Sequence, residues 1–235
     1  MKKEKMKNIY GSNKIEHYVL NNGVEIPAVA FGTYKAADGK SADVIRAAIG
    51  AGYRYFDTAS FYGTETYLAE AIRESGIPRR EFFIASKLWK DEMGYENVKS
   101  AFERTLNNLR TDYLDLYLIH QPFNNYYGAW KAMEELYKEG KIRAIGVCNF
   151  YPDRLADLCA NAEVIPAVNQ VEIHPFFAQT GALDTMKELK VQPEAWGPLA
   201  EGRHGIFTHE VLSSIGAKYG KTAAQTALRW NTQRG

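Results

Sequence analysis

With 235 residues, 46% of them hydrophobic, the chain is long enough to bury one large core, so a single domain over residues 1–235 is the expectation. Lys and Arg number 29 against 28 Asp and Glu, a net charge of +1, which argues against nucleic acid or an anionic membrane as partner and leaves a small molecule. Two cysteines without zinc spacing to the histidines, a charged N-terminus without an apolar signal and no window near ~18 apolar residues predict a soluble, cytoplasmic protein. Such a protein has reduced thiols and no metal, and is a monomer or weak homo-oligomer.

In chain order, residues 15–20 and 24–26 around Asn21-Asn22-Gly23 read as a hairpin, because Asn-Gly suits the positive φ of a tight turn. Apolar runs rich in Val, Ile, Phe and Tyr then alternate with helical periodicity. The pairs are 29–33 with 41–51, 53–57 with 66–75, 82–87 with 96–109, 114–120 with 129–139, 142–148 with 154–159, and 167–171 with 182–189. A seventh strand, 191–196, is followed by a glycine-rich loop at 197–205 and two helices at 208–219 and 223–232.

The strand ends recur 22 to 33 residues apart, which predicts an α/β (β/α)8 TIM barrel with seven βα units visible and the hairpin capping its lower end. A doubly wound open sheet is the runner-up, but no Gly-x-Gly-x-x-Gly follows the first strand. The repeat calls for an eighth strand and helix that these 235 residues do not contain, so the expectation is a shortened chain whose first and seventh strands keep unpaired edges.

Three of these strands end on ionisable residues. Asp57 on its own reads as a cap for the next turn, Lys87 as a snorkelling cation and His120 as a hydrogen-bonded core histidine. All three would converge at the mouth of a barrel, where burying each is costly unless they pair, so a site explains them better than three coincidences. Tyr62, five residues past Asp57, reads by itself as a half-buried aromatic, yet it can fold over the same rim. An ammonium at Lys87, held by Asp57, should lower the phenol pKa and make Tyr62 a general acid, with His120 orienting a carbonyl. An acid and an orienter without a nucleophile imply reduction by an external donor.

Phe56-Asp57-Thr58-Ala59 with Tyr62-Gly63, Ser86-Lys87-Leu88-Trp89 and Leu118-Ile119-His120-Gln121-Pro122 resemble the aldo-keto reductases, over roughly residues 15–235. The resemblance implies a catalytic set Asp57, Tyr62, Lys87 and His120, and reduction of an aldehyde or ketone by NADPH, with NADH as the alternative donor. It implies cofactor contacts at Gly32, Thr33, Asp57, Cys148, Asn149, Gln170, Trp196, Gly197 and Leu199, with Trp196 stacking on the nicotinamide. Tyr34, Tyr62, Trp89, His120 and Phe123 are implied at the substrate mouth, where ordinary packing is the competing reading. The chain departs from the pattern at Cys148, where the family has a hydroxyl, and at Gly197, where serine is common. The family's Lys-Ser segment and later Arg and Glu-Asn, which grip the 2′-phosphate, have no counterpart here.

Three other readings stand beside the reductase. A regulatory or scaffolding protein of the same fold would bind cofactor with little turnover, and a shortened form would be inactive. A metal-dependent hydrolase is disfavoured, since no strand ends on His-x-His.

Overall fold

A computed structural model describes residues 16–36 and 42–235; the expectations placed on residues 1–15 and on residue 41 fall outside them. Strands β1 (His17–Val19) and β2 (Glu25–Pro27) form the antiparallel hairpin, with Gly23 at φ +85° in the turn. Seven parallel strands follow: β3 (Phe31–Gly32), β4 (Tyr55–Asp57), β5 (Phe83–Leu88), β6 (Leu114–Ile119), β7 (Ile142–Cys148), β8 (Val168–Glu172) and β9 (Gln192–Trp196). Each pairs in parallel with the next in sequence order, the arrangement of consecutive βα units. The intervening helices are α1 (Asp43–Gly50), α2 (Glu65–Ser75), α3 (Tyr95–Leu109), α4 (Tyr126–Lys138), α5 (Pro152–Asn161) and α6 (Thr180–Glu188). Helices α7 (Glu210–Ala217) and α8 (Ala223–Thr232) come last. This is the (β/α)8 architecture with seven strands among the described residues.

Strands β4 to β7 are almost wholly buried because both faces of the sheet are covered there, whereas β3 and β9, at the unpaired edges, are only partly buried. On α3, Val98, Ala101, Phe102, Thr105 and Leu109 are buried at helical spacing, and they pack with Tyr117 and Ile119 of β6 in the layer outside the sheet. The inner face carries Tyr55, Phe83, Ala85, Leu116, Leu118, Ala144 and Val168, closed below by Leu20 and Ile26 of the hairpin. The sheet curls far enough that Tyr55 on β4 hydrogen-bonds Glu194 on β9 at 2.9 Å. At the lower end, buried Asp115 accepts from Arg79 at 2.8 Å, Arg143 at 2.6 Å and the Ile84 amide at 2.9 Å, an ion cluster that ties three strand starts together.

Strands β3 and β9 do not pair with each other, and α8 lies beside the gap. It is tied to the hairpin by Tyr18 Oη donating to the Thr232 carbonyl at 2.6 Å and by Arg229 with Glu16 at 3.1 Å. A capping box between Thr222 and Gln225 starts this helix where the sequence predicts it. No helix among the described residues is long and apolar enough to cross a membrane.

Candidate active site

Side chains alternate along a strand, so the inward set on each strand continues upward to one residue at the mouth. Tyr55 leads to Asp57, Phe83 and Ala85 to Lys87, Leu116 and Leu118 to His120, Ala144 to Cys148, and Val168 to Gln170. Gly146 breaks the β7 row by necessity: a Cβ there would lie 2.6 Å from the Val168 carbonyl oxygen and 2.7 Å from Leu118. Tyr62 arrives from a 3-10 turn, Ser60–Tyr62, that ends on Gly63 at φ +67°.

Lys87, 0% exposed, pairs with Asp57 Oδ1 and donates to the Thr58 carbonyl at 3.0 Å; its Nζ is 3.4 Å from Tyr62 Oη. Tyr62 Oη is also 3.4 Å from His120 Nε2. The four residues of the expected catalytic set therefore form one connected chain. Burial is the largest single influence on Lys87 and works to lower it, but the Asp57 charge and hydrogen bond, together with Tyr62 and Cys148, outweigh it and raise the ammonium above its ordinary value. Burial, followed by Lys87, pulls His120 down to about 3, so the imidazole is neutral at physiological pH.

Tyr62 departs from the sequence expectation. Lys87 does draw the phenol downward, yet burial is the larger effect and Asp57 adds to it, so the group is pushed up to about 12. The Asp57 carboxylate that holds Lys87 also cancels much of its field at Tyr62.

These residues line a cavity of about 460 Å³. Its wall brings together the predicted Gly32, Tyr34, Asp57, Tyr62, Trp89, His120, Cys148, Asn149, Gln170, Trp196 and Gly197. Lys87 sits behind Asp57 and Tyr62. Thr33 is fully buried and shares a 2.8 Å hydrogen bond with Thr64, away from the wall. Leu199 packs with Ala200, Ile206 and Leu212 beneath the following loop, and Phe123 is 51% exposed outside the cavity.

The wall also holds residues that the sequence reading missed. Phe61 stacks on Trp89 with ring centroids 4.0 Å apart, and Gln121 and Glu201 border the opening. Glu194 stands below Trp196 on β9, and burial, then the Asp57 charge, push its carboxyl up to about 7. The strand alternation that identifies Asp57, Lys87 and His120 would have marked Glu194 too, two residues before Trp196. Among the amides, Asn149 donates to the His120 carbonyl at 3.2 Å and accepts from Trp196 Nε1 at 2.9 Å, which pins the indole. Gln170 donates to Asp57 Oδ2 at 2.9 Å and to Glu194 Oε1 at 2.8 Å, leaving its carbonyl oxygen facing the Cys148 thiol at 3.9 Å.

The aldo/keto reductase family model matches residues 28–235. A glyoxal reductase of Bacillus subtilis (strain 168) is 47% identical over 218 residues, covering 92% of this chain and 78% of that protein. The methylglyoxal reductase DkgA of Escherichia coli O157:H7 is 38% identical over 219 residues, 92% of this chain and 79% of its own length. Among solved structures, an aldo-keto reductase from a Medee basin deep-sea metagenome library superposes with a TM-score of 0.88 at 40% identity, over 93% of this chain and 81% of that one. The sequence motifs, the curled parallel sheet and these likenesses agree: the chain belongs to the aldo/keto reductase family, oxidoreductases that reduce carbonyl compounds with nicotinamide cofactors.

Proposed function

We propose that the cavity reduces aldehydes or ketones to alcohols with NADPH as hydride donor, NADH being the alternative, and with Tyr62 as general acid. One observation carries this reading: a protonated phenol and a neutral imidazole meet at a cavity whose own thiol, Cys148, is held protonated by burial. A carbonyl carbon seated there meets no activated nucleophile among the described residues, so the attacking electron pair comes from a bound donor. A reduced nicotinamide supplies that pair as hydride when bound.

The residues present fit such a group. Trp196 offers a planar face held in place by Asn149, Gln170 keeps a free acceptor lone pair for an amide, and Gly197 leaves the wall without a side chain beside them.

The part played by this chain is protonic. Lys87 Nζ donates to Tyr62 Oη, which leaves the phenol proton directed away from the ammonium. An alkoxide is more basic than a phenolate, so the proton moves downhill as charge develops on the substrate oxygen, even from a phenol at about 12. His120 Nδ1 is buried with no partner among the described residues; an N–H there would be an orphaned donor, so the proton is assigned to Nε2, where it can hold the carbonyl oxygen.

Tyr34, Phe61 and Trp89 make an aromatic rim suited to apolar bulk, and relatives named as glyoxal and methylglyoxal reductases support a carbonyl substrate. Two buried free thiols support a reducing, cytoplasmic setting. The test is stopped-flow loss of reduced-nicotinamide absorbance with a simple aldehyde. Tyr62→Phe should slow the hydride step by ~10²- to 10⁴-fold, and equal rates would remove Tyr62 as the acid.

A further inference from the structure

One carboxylate on the cavity wall has no part in the proton chemistry described above. Glu194 is half-buried where the mouth cavity adjoins a smaller one, of about 140 Å³, between β3 and β9. Tyr55 Oη lies 3.1 and 2.9 Å from its two oxygens. Gln170 Nε2 donates to Glu194 Oε1 at 2.8 Å and to Asp57 Oδ2 at 2.9 Å. A primary amide has two N–H donors, and both are committed to carboxylates. Turned over, the amide would set its carbonyl oxygen against two carboxylate oxygens. Asp57 supplies only one of these bonds and is itself committed to Lys87, so Glu194 provides the second half of the lock.

We propose that Glu194 is a positioning residue that acts through Gln170, fixing that amide so that an acceptor oxygen faces the cavity for the N–H of a planar carboxamide. This deepens the nicotinamide reading and rests on it for the identity of the carboxamide. The raised Glu194 carboxyl does not disturb the arrangement, because a proton on the oxygen facing Tyr55 leaves Oε1 free to accept from Gln170.

The primary test needs no cofactor. In 15N spectra of the free protein, with the Gln170 side-chain pair identified by its loss in Gln170→Glu, both amide protons should be shifted downfield and exchange slowly with water. Glu194→Met should release one of them, whereas Glu194→Gln, which keeps an acceptor oxygen, should retain both; signal dispersion shows in the same spectra that each variant is folded. Titration with NADPH should then give a Kd about tenfold weaker for Glu194→Met and much nearer wild type for Glu194→Gln, with the larger kinetic change on KM for NADPH and the smaller on kcat. Unchanged amide protons in Glu194→Met, or equal losses of affinity in the two variants, would overturn the proposal. An amide that responds as expected in a protein that binds neither NADPH nor NADH would uphold the positioning and overturn the nicotinamide reading instead.

Discussion

The Lys87–Asp57 pair is the energetic centre of the mouth, and Lys87→Met tests it. In the native chain the ammonium is fully buried and the Asp57 side chain is only 12% exposed, at the cavity wall, so Lys87 has no water as a substitute partner and Asp57 little. Methionine is close to lysine in length and flexibility, so the change leaves little void and acts mainly through charge. Asp57 is left as a buried carboxylate with the Gln170 amide as its remaining side-chain partner. Breaking one side of a buried pair costs ~3–5 kcal/mol. Asp57→Asn strands the ammonium and should cost a similar amount, while the double variant removes both charges and should lose far less than the sum. Urea unfolding of the four proteins, followed by tryptophan fluorescence, gives the coupling directly. Additive losses, or a Lys87→Met loss below ~1 kcal/mol, would refute the view that the pair forms one desolvated unit. Lys87 is also the principal group drawing the Tyr62 phenol down, so the double variant should recover stability without recovering turnover.

Three further outcomes are expected. Because His120 is held to about 3 and Tyr62 to about 12, kcat for reduction should be flat across neutral pH and fall only on the alkaline side, where the acid form is lost; an inflection near pH 6.5 abolished by His120→Gln would contradict this. Gly146→Ala should destabilise by ~1–3 kcal/mol, since its Cβ would meet the Val168 carbonyl; denaturant midpoints within error of wild type would show that the backbone yields freely. NADPH should quench tryptophan fluorescence in the native chain and do so much less in Trp196→Phe, and equal quenching in both would remove Trp196 from the nicotinamide face.

The barrel was legible because most of its strands are short, mainly apolar runs and its helices bury one stripe, and these two periods separate cleanly. Boundaries slipped where side chains, not periodicity, set them. Helix α4 begins three residues before its expected start because Asn125 accepts from the Gly128 amide, and α5 begins at Pro152, which needs no partner for a backbone N–H. Strand alternation also sorts the site residues better than proximity to a strand end. Phe31 packs on the helix side of the sheet, so Thr33, two residues on, turns the same way and bonds Thr64, while Gly32 faces the cavity. Gln170 and Glu194 are paired neighbours on β8 and β9, whereas Asp57, 113 positions from Gln170, reaches that amide only because the sheet curls.

The raised phenol changes how the four-residue set is understood. A lysine placed to acidify a tyrosine would leave a fraction of phenolate at rest, and that fraction would be useless for protonating an oxygen. Here burial, with a smaller contribution from the Asp57 carboxylate, holds the phenol protonated while Lys87 stays within reach of its oxygen. On the proposed reading, the stabilisation by Lys87 is drawn upon only as the proton leaves, when phenolate and ammonium face each other at the mouth of the barrel. On that reading alcohol oxidation begins from the phenolate. On the same reading the rate of alcohol oxidation is expected to rise with pH where that of reduction falls, which a pair of pH profiles checks.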